Sequence, residues 1–302
     1  MVRNSLIVLL LLVLVSPAMA VAPGGVYQGD GAMTLKLDDK PLPNQQGFHL
    51  VRGVAIYHGR KIRFLSGIFL PPAYFHSKEP MPILMALHNR SGIGGDGAWS
   101  LTSEGMGEML SNGKPDPRAQ GDKPANPISI QTDAGFIGLV PHCPDGFTWE
   151  SPAMADLMSK FIAQMVTAYH ADDDRVYLTG FSYGASSSWR MAMNAPDRFA
   201  AIIVVDGRAT PDPVHDVEKL RNVAVYLEVG QWDGDFVNEA DWMHQALNNS
   251  GHRNYIFHMI PGGNHFNYES VYLDPDVWKW VYAQHRARKS PTNPILGSLE
   301  TK

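Results

Sequence analysis

Residues 176–194 constrain the fold more than any other stretch of this chain. Val176-Tyr177-Leu178-Thr179 is an apolar, β-rich run that reads as a strand. Gly180-Phe181-Ser182-Tyr183-Gly184 follows, and residues 185–194 read as a helix. Strand, tight turn and helix in direct succession force the backbone to reverse within the glycine-bounded segment. A side chain at either glycine would collide with the neighbouring strand or helix.

The rest of the chain follows the same alternation. Strands are predicted over 81–87, 136–141, 175–179, 200–205, 223–229 and 255–260, and helices over 152–170, 185–194, 239–249 and 274–286. Short apolar stretches within 53–71 predict paired strands. The run at 81–87 is continuously apolar, as in a strand buried on both faces of a parallel sheet. Strands alternating with helices imply a mostly parallel sheet covered on both sides, in one domain.

The first twenty residues are of another kind. Arg3 gives a short positive start, residues 6–15 are unbroken apolar, and Ala18-Met19-Ala20 supplies small residues. This predicts a secretory signal peptide over 1–20, cut after Ala20. The apolar run is about half the ~20 residues that a membrane span needs. The expected organisation is therefore a signal peptide, an irregular lead-in over 21–52, a catalytic domain over 53–288 and a polar tail over 289–302. The mature chain is expected to be secreted or periplasmic, with no membrane association. Its net charge of −5 is spread without a basic stripe, which argues against a nucleic-acid partner. The single cysteine, Cys143, ends an apolar run and reads as a buried structural residue.

Gly180 to Gly184 matches G-x-S-x-G, and its strand–turn–helix setting makes Ser182 the candidate nucleophile of an α/β-hydrolase fold. A serine hydroxyl needs a base, and in that fold the order is serine, acid, histidine. Of the later histidines, His265 stands in Pro261-Gly262-Gly263-Asn264, a glycine turn after the last predicted strand. Such a turn can bring an imidazole over the sheet edge. The acid is expected after the strand at 223–229, where Asp233 and Asp235 flank Gly234. The oxyanion of a tetrahedral intermediate needs two donors. One is expected from the Tyr183 amide and the other from Asn89 or Arg90, in the turn after 81–87. Trp149 and Glu150 either line a substrate pocket with His88 or pack a loop on the core. No histidine pair has the spacing of a metal-dependent hydrolase, so no metal is expected.

These pieces resemble the secreted esterases related to polyhydroxybutyrate depolymerases and to feruloyl and acetylxylan esterases, a group that includes predicted peptidases. The resemblance is carried by Leu87-His88, Pro141 to Pro144 with Trp149, Arg175 to Gly184, Pro196 to Phe199, Gly230 to Asp233 and Gly262 to His265. It implies ester hydrolysis without a cofactor, on small or polymeric ester substrates, and it favours Asp233 in a G-x-x-D step over Asp235. Glycine usually follows the histidine of the oxyanion turn, whereas here Asn89 stands there, so which amide donates stays open. A serine peptidase or a catalytically silent binding module on the same scaffold are the alternatives.

Overall fold

The computed structural model describes residues 32–92, 97, 99–112, 118, 121, 122 and 124–286. The signal peptide expected over 1–20 and the tail over 289–302 lie outside the described residues. A nine-stranded sheet runs through the molecule: β1 Met33–Leu37, β2 Gly47–Tyr57, β3 Arg60–Leu70, β4 Ile83–Leu87, β5 Ile137–Pro141, β6 Val176–Phe181, β7 Ala201–Val205, β8 Ala224–Gly230 and β9 Tyr255–Ile260. Their spatial order is β1-β2-β3-β5-β4-β6-β7-β8-β9. The first three strands and the β3–β5 pair are antiparallel, and every pairing from β5 to β9 is parallel.

The helices, in chain order, are α1 Gly105–Asn112, α2 Ile130–Asp133, α3 Pro152–Tyr169, α4 Tyr183–Asn194, α5 Pro213–Asp216, α6 Asp235–Asn249, α7 Tyr268–Tyr272 and α8 Pro275–Tyr282. Apolar residues of α3, α4 and α6, such as Phe161, Trp189 and Met243, fill one core layer. Residues of α1, α7 and α8, such as Met106, Tyr272 and Trp278, fill the other. With helices on both faces, β4 to β8 are buried along their whole length, which is why these runs are apolar without alternation.

The lead-in expected over 21–52 is corrected at its C-terminal part. Met33–Leu37 and the first half of β2 belong to the sheet. Their signal is a period of two, with Val51, Ala55 and Tyr57 buried between more exposed neighbours. Gly- and Pro-rich flanks mask it in the sequence. The edge is fastened to the sheet's cover by the Met33 amide, which donates to Asp156 Oδ2 of α3 at 2.7 Å. Two helix limits differ by as much as four residues. α6 begins at Asp235 rather than near 239, and α8 ends at Tyr282, four residues short of the predicted 286.

Among the acidic residues that interrupt the apolar interior, one lies within a strand. Glu228 of β8 is buried beside His258 of β9, with Nδ1 3.7 Å from Oε2. Burial pushes the Glu228 carboxyl up to about 7, and the bond to Glu228 raises His258 above its ordinary value. Both groups therefore bind protons more tightly in the folded chain than in the unfolded one. The stability they contribute is complete below the unfolded carboxylate range and is lost as pH rises through about 7. Wild type should accordingly lose about 5 °C in Tm relative to Glu228→Gln between pH 5 and pH 8. Thermal unfolding of both proteins at the two pH values checks this, and a constant difference would contradict it.

Candidate active site

The sheet delivers its chemistry to the carboxyl edge of β6, β8 and β9. β6 runs into Ser182, whose backbone takes φ 57 and ψ −117. A non-glycine residue in that region stores about 1–3 kcal/mol of strain, held here by the surrounding structure. The Ser182 amide donates to the Val205 carbonyl of β7 at 3.0 Å, and α4 starts at the next residue. Both flanking glycines are required sterically. A Cβ on Gly180 would stand 2.2 Å from the Gly184 carbonyl carbon, and one on Gly184 would stand 2.2 Å from the Leu87 oxygen.

The turns after β8 and β9 are stitched together by backbone bonds. The Gln231 amide donates to Ile260 at 3.0 Å, and the Trp232 amide to Gly263 at 2.7 Å. Gly230 and Gly263 meet there, and a Cβ on Gly230 would lie 2.5 Å from the Asn264 oxygen. This stitching carries Asp233 under His265. His265 Nδ1 is 2.9 Å from both carboxylate oxygens of Asp233, and Nε2 is 2.9 Å from Ser182 Oγ. With Asp233 accepting at Nδ1, the imidazole carries its proton there and offers a bare Nε2 to the serine hydroxyl. The rings of Phe181 and Phe236 flank His265 at centroid distances of 5.1 and 4.5 Å. The structure thus brings Ser182, His265 and Asp233 into one chain of hydrogen bonds. Asp235 is exposed at the first position of α6.

The other expected residues divide. The Tyr183 amide opens α4, where a helical N–H has no intrahelical acceptor. Asn89 is buried at the end of β4, and Arg90 starts a short 3-10 turn with its guanidinium 5.8 Å over the Tyr183 ring. The loop expected to supply the second donor therefore does lie beside the nucleophile's helix. Of the two arrangements expected for His88 and Trp149, burial matches packing on the core. Trp149 is fully buried, and His88 packs on it at 5.0 Å. The Cys143 amide donates to His88 Nε2 at 3.0 Å, so Nδ1 carries the proton and donates to the Asn89 oxygen at 2.9 Å. Burial lowers this imidazole to about 4, which keeps it neutral in that double role. His88 is a clamp between the β4 and β5 loops. Cys143 is itself buried, as its sequence setting implies. Glu150 is exposed, and its charge is felt by the Tyr183 phenol.

The clamp gives a test. His88→Ala leaves the Cys143 amide without its acceptor and frees the Asn89 turn. If that turn serves the reaction, kcat should fall about 10²-fold with a smaller change in KM, as for other displacements of about 1 Å. An unchanged kcat in a folded variant would remove the Asn89 turn from the mechanism.

One residue at this site has no sequence signal of its own. Asp206, directly after β7, is fully buried, and its carboxyl interacts with that of Asp233.

No family model matches the chain. Among curated proteins, acetylxylan esterase A of Aspergillus awamori is 37% identical over 102 residues, 30% of this chain and 33% of that protein. The match thus spans about a third of the length of the curated relatives. Among solved structures, a thermostable esterase superposes with a TM-score of 0.60 at 19% identity, covering 78% of this chain and 63% of its own. The feruloyl esterase module of Clostridium thermocellum, solved as an S954A mutant complexed with sinapinate, gives a TM-score of 0.54 at 12% identity, over 86% of this chain and 98% of that one. The sheet order, the turn that carries Ser182 and these likenesses show an α/β-hydrolase fold, and over 30% of its length the chain is similar in sequence to acetylxylan esterase A.

Proposed function

We propose that the chain is an exported serine carboxylesterase acting on carboxylic esters of the acetylxylan or feruloyl kind. The observation that carries this reading is the unbroken relay of 2.9 Å contacts from Ser182 through His265 to Asp233. In the proposed cycle Ser182 Oγ attacks the ester carbonyl as its proton passes to His265 Nε2, and Asp233 stabilises the imidazolium. The Tyr183 amide and an amide of the Asn89–Arg90 turn receive the developing oxyanion. His265 then returns the proton to the leaving alcohol, and water, activated by the same imidazole, releases the acid from Ser182. No cofactor enters this cycle. The acetylxylan esterase and feruloyl esterase likenesses support the acyl groups named. Export is supported by the apolar stretch before Ala20, and no described helix is long and apolar enough to cross a membrane.

The test is a panel of p-nitrophenyl acetate and butyrate, methyl ferulate and acetylated xylan, run beside peptide p-nitroanilides. Hydrolysis of the esters, unchanged by EDTA, is the expected result. Cleavage of the anilides alone would replace the reading with a peptidase. Inertness towards every substrate and towards a fluorophosphonate would leave a binding module.

A further inference from the structure

We propose that Asp206 is a protonated positioning residue, which donates its carboxyl proton to Asp233 and so fixes the carboxylate that orients His265. This rests on the reading of Ser182, His265 and Asp233 as a triad.

Asp206 is built into the site from both sides. It follows Val205, whose carbonyl accepts the Ser182 amide, and its own amide donates to the Glu228 carbonyl at 3.0 Å. Its backbone takes φ 51, a left-handed conformation uncommon for any residue but glycine and best tolerated by aspartate and asparagine. The side chain is completely buried. Oδ1 accepts the Gly230 amide at 2.9 Å. Oδ2 receives no N–H or O–H donor among the described residues. The side chain as a whole interacts with the carboxyl of Asp233.

Two interacting carboxyl groups, one of them fully buried, do not both ionise at neutral pH, because burial strengthens their repulsion and penalises the charged form. The geometry decides which one keeps the proton. Asp233 receives the His265 Nδ1 proton between its two oxygens, which stabilises its anion. Asp206 has a single amide bond and an oxygen with no donor. The titratable groups facing it, Asp233 from the turn after β8, Glu228 from β8 and Tyr272 from α7, supply no positive charge. Burial and the nearby Asp233 and Glu228 hold the Asp206 carboxyl well above the usual carboxylate range. An acid at Oδ2 resolves the unpartnered oxygen and gives Asp233 a second, short tether.

Two variants separate this role from a structural one. Asp206→Asn keeps a donor in the same place, tolerates the left-handed backbone and carries no charge. Asp206→Gly relieves the backbone and removes the donor. Asp206→Asn should retain kcat within about 3-fold, with the acid limb of its kcat/KM profile unmoved. Asp206→Gly should lose about 10- to 100-fold in kcat with little change in KM, because the Asp233 carboxylate is free to turn. An infrared difference spectrum, wild type minus Asp206→Asn at neutral pH, should show the C=O stretch of a protonated carboxyl. A spectrum with carboxylate bands only would overturn the proposal. So would an acid limb displaced to lower pH in Asp206→Asn, which would reveal an anionic Asp206 acting on His265. If wild type neither cleaves esters nor reacts with a fluorophosphonate, the triad reading fails, and the infrared band alone still decides the state of Asp206.

Discussion

Ser182→Ala should give a folded protein with kcat on ester substrates lowered about 10⁴- to 10⁶-fold. The size follows from how the three side chains act. Without Oγ there is nothing for His265 to deprotonate and no acyl-enzyme to form, so the reaction is left with oxyanion stabilisation of direct water attack. Folding should be little affected. Among the described residues the Ser182 Oγ bonds only to His265, at 2.9 Å, while its amide bond to Val205 is retained by alanine. The unusual backbone at φ 57 is strained for serine and alanine alike. Circular dichroism and thermal unfolding should therefore superpose on wild type. A fluorophosphonate should label wild type at Ser182 and leave the variant untouched. Labelling of both proteins at another serine would move the nucleophile elsewhere.

The sequence makes some of this architecture legible and hides the rest, for physical reasons. The Ser182 turn is readable because its steric demands are local. Gly180 and Gly184 have no room for a Cβ, so the chain must write glycine there. The parallel strands are readable because burial on both faces demands an apolar run. His265 is readable from the glycines before it, and Gly262 does adopt a left-handed φ of 66. Other features are set by neighbours distant in sequence. β1 and the start of β2 are edge elements whose one buried face alternates, and their Gly- and Pro-containing surroundings obscure the period. His88 and Trp149 are conspicuous residues near the site that serve packing and loop positioning, because the β4 and β5 loops close over them. Asp206-Gly207 reads as an ordinary turn after a strand. Only the pairing of β7 with β8 brings it beside Gly230 and Asp233. A carboxyl whose role depends on another carboxyl from a different strand leaves no local pattern.

Asp233→Asn and Asp235→Asn, assayed together, should differ by about four orders of magnitude. The Asp233 variant should lose about 10⁴ in kcat. An asparagine amide in that place donates to Nδ1 where the carboxylate accepted. The imidazole then moves its proton to Nε2, and the atom 2.9 Å from Ser182 Oγ becomes a donor instead of a base. The negative charge that stabilises the imidazolium is lost in the same change. Asp235 has no part in this. It is exposed in the first turn of α6, where its charge contributes about 0.3–1 kcal/mol to the helix through the dipole. Its asparagine variant should keep kcat within about 2-fold and show at most a small fall in Tm. High pH should not rescue Asp233→Asn fully, since the defect is a tautomer as well as a missing charge. Activity in Asp233→Asn with inactivity in Asp235→Asn, both folded by circular dichroism, would transfer the acid to Asp235 and require the turn after β8 to rearrange when substrate binds.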